Sequence, residues 1–239
     1  MATFEAQVEA LTSLAIDGSS TPKQDELSQL LRDGVIDVTA KHLAIRPQDA
    51  FMFMRISSES TSQAGLSAPS AKIISVIRES GTNDDWRNCR EISVGQQSNV
   101  TDTSSLHYAS KYNPAYFVSE EGAILVFPAP SSGGANSYKV YYVNGEPKDQ
   151  TNNAALTYLH SDIKFFPEDK VYLVVIYAAI KSLEAKLASY TIDEEDEELV
   201  RALLVSLQQL QVTYNSGFLP DKNYEAALQS QSQQRGQRA

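Results

Sequence analysis

Residues 166–187 read FPEDKVYLVVIYAAIKSLEAKL, and what this stretch packs against decides the fold. Every residue from 171 to 180 is apolar or tyrosine, between Lys170 and Lys181. A membrane span needs roughly 18 or more apolar residues, so the run is too short to cross one. Pro167 suits a first helical turn, and Glu168 and Asp169 lie where a helix dipole favours negative charge, so a helix is expected to open here. A helix apolar on nearly all sides must be covered on all sides. One neighbouring helix covers part of it, and an adjacent subunit is expected to cover the rest.

Outward from this helix, residues 190–214 (YTIDEEDEELVRALLVSLQQLQVTY) predict a second one. Leu199, Leu203, Leu207, Leu210 and Tyr214 share a face, Val200 and Leu204 widen it, and SGFLP (216–220) stops it. Near the other end of the chain, residues 20–45 carry Leu27, Leu30, Leu31, Val35 and Val38 at three- and four-residue spacing, which predicts an amphipathic helix over 22–43. Thr21 is placed as its N-cap, Pro22 at the first helical position and Gln24 in a capping box. Gly34 weakens such a helix by about 1 kcal/mol relative to alanine, so packing must compensate.

Between the helical zones the period changes. KIISVIRE (72–79), AYFV (115–118), AILVFP (123–128) and SYKVYYV (137–143) are short runs of β-branched and aromatic residues. SEEG (119–122) has hairpin spacing with Gly122 free to take a positive φ, NGEP (144–147) is a turn, and 128–137 reads as a long flexible connection. Residues 57–70 are Ser-, Thr-, Gly- and Pro-rich and read as an exposed loop. The expected fold class is α+β: a helical bundle of an N-terminal helix plus two C-terminal helices (1–56 and 149–218), a small antiparallel β-sheet domain inserted at 57–148, and an extended C-terminal tail at 219–239.

Charge and cysteine content exclude several roles. A net charge of -10 disfavours a sequence-independent grip on nucleic acid, which needs cations against phosphates. Cys89 is the single cysteine, so no internal disulfide or Cys-rich metal site forms. The first residues carry Glu5 and Glu9 and no positive n-region, and do not read as a signal peptide. No phosphate loop, nucleophile elbow or zinc-ligand spacing occurs. HSD (160–162) places three catalytic residue types side by side, yet a triad is made in space rather than in sequence. DEEDEE (193–198) offers oxygen ligands without calcium-loop spacing and reads as an acidic first helical turn. TDTSSLHYASKYNPAYF (101–117) reads as an ordered loop entering a strand, and Met52 and Met54 as core filling. No catalytic residue, cofactor or metal is expected.

The order of these pieces carries a resemblance. An amphipathic helix, a β-rich middle, a proline–acid start to a Tyr/Ala-rich helix, an acidic link, and a last helix ending in TYNSGF together resemble the head-to-tail adaptor proteins of tailed bacteriophages, the tail tubular A or connector group. The likeness covers mainly 22–43 and 165–218. It implies a homo-oligomeric ring, of about twelve copies, beneath the phage portal protein. Tail or nozzle proteins would lie beyond, DNA would pass through without specific binding, and no membrane would be involved. The protein would be made in the host bacterial cytoplasm and located at the head–tail junction of the virion. Subunit and partner contacts are expected at Tyr172, Val175, Ile176, Ala179, Leu183, Leu203 and Leu207. Further contacts are expected at Leu219, Tyr224 and Leu228 of the tail, which is expected to order on assembly. Two alternatives stay open: another neck or tail component such as a tail terminator or baseplate protein, and a metal-dependent or hydrolytic enzyme resting on HSD or DEEDEE.

Overall fold

The structure, a computed structural model, describes residues 2–63, 65–66, 72–119, 121–143, 145–190 and 197–218. The chain divides into two compact units, one of residues 1–47, 148–164 and 168–239, the other of 48–147 and 165–167. The expected tail 219–239 and the acidic link 191–196 lie outside the described residues.

The first unit is helical. Helix α1, Phe4–Thr12, begins where Thr3 Oγ1 accepts the Ala6 N–H at 3.3 Å, and it buries Phe4 and Val8 completely. No helix was expected there, although Phe4, Val8 and Thr12 keep the four-residue spacing of one helical face. Helix α2 spans Gln24–Ile45 and buries Leu27, Leu31, Val35 and Val38, with Leu30 half-buried. Its start corrects the expected cap. The Asp17 carboxylate accepts the Ser19 and Ser20 N–H groups, each at 2.7 Å, and the Asp17 carbonyl accepts the Gln24 N–H at 3.3 Å. That turn holds Thr21 and Pro22 outside the helix. Lys23 is the N-cap, its N–H donating to Glu26 at 2.9 Å.

Residues 148–164 pair with themselves at Lys148–Ala155 and Asp149–Ile163. They also serve the two helices. The carbonyls of His160 and Tyr158 accept the Phe4 and Glu5 N–H groups at 2.8 and 3.1 Å, satisfying donors that a first helical turn cannot satisfy itself. The Leu156 carbonyl accepts from Arg32 Nε at 2.7 Å. Helix α4, Val171–Tyr190, follows a 3-10 turn at Glu168–Lys170, and α5, Glu197–Ser216, follows it. Helix α4 packs against α1, α2 and α5 of its own chain.

The second unit is β-rich, and the four expected runs are all strands. The strands are β1 (Met54–Ile56), β2 (Lys72–Glu79), β3 (Trp86–Asn88), β4 (Arg90–Glu91), β5 (Ala115–Val118), β6 (Ile124–Phe127) and β7 (Tyr138–Val143). A short helix α3, Gln97–Thr101, lies between β4 and β5. They build two sheets rather than the one expected: β1-β7-β2-β3, antiparallel throughout, and β4-β5-β6, in which β4 and β5 are parallel. The change of sheet happens at Cys89. Its N–H donates to the Val76 carbonyl at 2.8 Å, whereas the next N–H, that of Arg90, donates to Pro114 at 2.9 Å. One core joins the two sheets, Val76, Tyr138 and Val140 of the first with Tyr116, Ile124 and Val126 of the second, and another belongs to the second sheet, Phe117 stacked on Phe127 with Val100 and Ala109. The β5–β6 hairpin turns where expected, with Gly122 at φ 75.

The connection 128–137 is not loose at its ends. Arg78, 3% exposed, donates from Nε to the Pro128 carbonyl at 3.0 Å and from Nη2 to Asn136 Oδ1 at 3.4 Å. The Glu79 carboxylate accepts both the N–H (3.1 Å) and the hydroxyl (2.8 Å) of Ser137. A buried guanidinium is tolerated because its donors are satisfied by oxygens in place. Met52 is 45% exposed beside Phe51 at 63%, so AFMFMR is not filled inward at Met52; Phe53 takes that place, edge-on to Phe166 with centroids 5.4 Å apart.

Candidate functional site

Helices α4 and α5 carry the residues expected to make contacts, and the structure sorts them into three groups. Val175 (3% exposed), Ile176 (6%), Ala179 (0%) and Leu183 (0%) lie inside the bundle. The chain's own α1, α2 and α5 cover the faces left for a neighbouring subunit, because an additional helix, α1, supplies the missing cover. Leu203 is buried and Leu207 half-buried on the inner side of α5. Tyr172 stays 46% exposed at the start of α4. Leu219, Tyr224 and Leu228 lie outside the described residues.

The junction of α2, α4 and α5 is the most elaborated part of the bundle. A Cβ on Gly34 would stand 3.0 Å from Tyr177 Cδ1 and 3.3 Å from Val174 Cγ1, so the glycine lets α4 approach α2 closely. Its low helix propensity is offset there by packing. The Tyr177 and Tyr214 rings lie 6.0 Å apart, and Phe218 stands edge-on to Tyr214 at 5.1 Å. The Tyr214 hydroxyl donates to Asp37 Oδ2 at 2.5 Å, and Lys41, ion-paired with the same oxygen at 2.8 Å, sits 4.7 Å above the Tyr214 ring. Burial first, and then the hydrogen bond to Asp37, hold the Tyr214 hydroxyl well above the ordinary tyrosine range. At the end of α5, a Cβ on Gly217 would fall 2.4 Å from Leu173 Cδ2 and 3.0 Å from the Tyr172 hydroxyl. Two signals for this junction stood in the sequence, Gly34 inside an apolar stripe and Tyr-Asn-Ser-Gly closing the last helix. The tie of Asp37 and Lys41 to Tyr214 carried none, because Tyr214 lies 177 residues from Asp37, although Asp37 and Lys41 themselves stand at the four-residue spacing of a helical ion pair.

The outer side of α5 was not singled out. Leu204 is 43% exposed rather than widening the packed face, Val205 is 64% exposed and Val212 70%. Residues 202–216 contain no charged side chain. That absence was readable, but a face assigned by apolar periodicity alone leaves it out.

The catalytic candidates are engaged structurally. His160 Nδ1 accepts the Thr157 N–H at 3.0 Å and lies 3.1 Å from the Thr157 hydroxyl, which places it in a turn. The Asp162 carboxylate accepts the Ile163 N–H at 2.7 Å. Asp149, 4% exposed, accepts the N–H groups of Asn152 at 2.9 Å and Thr151 at 3.0 Å. Those backbone bonds, with His160 nearby, hold its carboxyl below the usual carboxylate range. Burial pushes the Cys89 thiol up to about 12, so it stays a protonated core residue. Among the described residues no group of three or more His, Cys, Asp or Glu side chains is placed to hold a metal ion. Residues 193–196 of DEEDEE lie outside them. No described helix is long and apolar enough to cross a membrane. Compared with family models and with curated proteins, the chain matches none.

Proposed function

We propose that this chain is a structural virion protein of a tailed phage, a head-to-tail adaptor that forms a ring beneath the portal and continues the DNA channel toward the tail. In this reading the helical bundle is the constant frame and the β-rich residues 57–148 are an insertion in it. One observation carries the proposal. The residues on which the resemblance rests meet in space: Tyr214 and Gly217, from TYNSGF, close on Tyr172 and Leu173 at the start of the Tyr/Ala-rich helix and on Asp37 of the first amphipathic helix. Motif residues scattered over the chain by chance have no reason to share one junction. A net charge of -10 suits a channel wall along which DNA slides without sticking.

The reading is tested by offering the purified chain separately to portal rings and to tail-tube protein and imaging both mixtures by electron microscopy. Decoration of the portal by a second ring is expected. Binding to tail protein alone overturns the adaptor assignment.

A further inference from the structure

We infer that the outward face of α5, carrying Val205 and Val212, is a contact between copies of this chain. The face is defined by helix geometry. At 3.6 residues per turn, Leu203, Leu207, Leu210 and Tyr214 point into the bundle, and Val205 and Val212, seven residues apart, share the opposite side. Their exposures, 64% and 70%, agree with that placement. Leu204, 43% exposed, extends the apolar surface along one flank, and Gln208 and Gln209 fill the turn between the valines.

Charge selects the occupant. The chain carries 30 acidic and 20 basic residues, so two copies at -10 each repel through most orientations. Residues 202–216 have no charged side chain, whereas the outer face of a solvated helix ordinarily carries them. Glu198 and Arg201, both exposed, stand at the start of this side, and beyond them a second acidic copy can approach residues 202–216 without unpaired buried charge. Depletion of charge with retained apolar and amide groups is also the composition found at the centre of protein interfaces. Glutamine adds to this fit, since its amide both donates and accepts hydrogen bonds and can meet a copy of itself. A strongly cationic partner would instead select acidic side chains on this face, and it has none between 202 and 216.

This inference rests on the oligomeric part of the adaptor proposal but not on the portal. Both valines are exposed, so V205E with V212E places charge on the face without entering the core. The full chain is examined by sedimentation velocity over a concentration series, with no portal protein present. The parent is expected to form oligomers, and the double glutamate variant to remain monomeric with an unchanged helical circular dichroism spectrum. A parent that is monomeric at every concentration overturns the inference, as does a variant that assembles like the parent. If assembly appears only when residues 219–239 are deleted, the chain's own C-terminal segment occupies the face and the inference falls. Oligomers that ignore the portal leave the contact standing and remove the adaptor reading, so the two failures are distinguishable.

Discussion

Helices α4 and α5 are each 20 residues long and pack against one another, yet they are used in opposite ways. In α4, nine positions from Leu173 to Leu183 are buried, on every side of the helix. In α5, only Leu203 and Tyr214 among the described side chains reach that state, and four large apolar ones, Leu199, Leu204, Val205 and Val212, are exposed. The difference teaches that apolar content tells how much surface a helix must hide but not from whom. Apart from the exposed Tyr172, the run 171–180 is covered largely by its own chain, because three other helices pack against it. The less apolar α5 lies at the margin of the bundle, and between residues 202 and 216 the side it leaves open carries no charge.

The largest effect expected from this contrast is at the centre of α4. Leu183→Ala removes a fully buried side chain where α4 is enclosed, and is expected to cost about 3 kcal/mol of stability, read by urea unfolding. A loss under about 1 kcal/mol would show that α4 is less tightly enclosed than its burial indicates. Helicity that survives at reduced stability would separate this cavity effect from collapse of the bundle.

Next in size is the bond that ties α5 to α2. Tyr214→Phe keeps the ring on Tyr177 and Phe218 but removes the donor to Asp37, and is expected to cost about 1.5 kcal/mol near neutral pH. The sign of its pH dependence follows from the raised hydroxyl. The folded chain keeps this proton above the ordinary value of 10.0, at which the unfolded chain releases it. The parent's advantage is therefore full below pH 10 and shrinks as pH rises above it. Melting curves of parent and variant should converge in alkaline buffer, and a gap that widens there would contradict the placement of Tyr214.

Asp149→Asn is a smaller perturbation of the segment that serves α1 and α2. The carboxylate accepts the Thr151 and Asn152 N–H groups, and asparagine keeps an acceptor oxygen but loses the charge. Because the folded carboxyl lies below its ordinary 3.8, its contribution is full above that value and is lost as pH falls through the lower folded one. A melting point a few degrees lower is expected at pH 7, with the difference closing in acid. A difference independent of pH would assign the effect to packing instead.

How much of this was legible depends on the length over which a pattern repeats. Strands β2, β5, β6 and β7 announce themselves through consecutive β-branched and aromatic residues, and α2 through a stripe several turns long. Strands β1, β3 and β4 have two or three residues each, too few for alternation to show, and so the second sheet and the parallel β4–β5 pair escaped. Helix α1 escaped although its spacing was present, and without it α4 looked under-covered. The contacts expected at Val175, Ile176, Ala179 and Leu183 rest on that shortfall, and all four side chains are buried within one chain. Long-range pairs such as Asp37 with Tyr214 have no local pattern at all, since the fold alone brings them together.

The smallest expected effect is the most diagnostic for the comparison of the two helices. Val205→Ala shortens an exposed side chain on α5 and leaves the inner residues Leu203 and Leu207 in place. Alanine is also the better helix former, by a few tenths of a kcal/mol. In a dilute, monomeric sample its stability should therefore lie within about 0.5 kcal/mol of the parent. At concentrations where the parent assembles, the same variant should melt lower than the parent, because binding among copies stabilises the folded state by mass action. Thermal melts of parent and variant over a dilution series read both at once. A deficit that is constant with concentration would mean Val205 matters to the bundle itself, and α5 would then be enclosed like α4. A deficit that grows with concentration is what an outward, copy-facing valine requires.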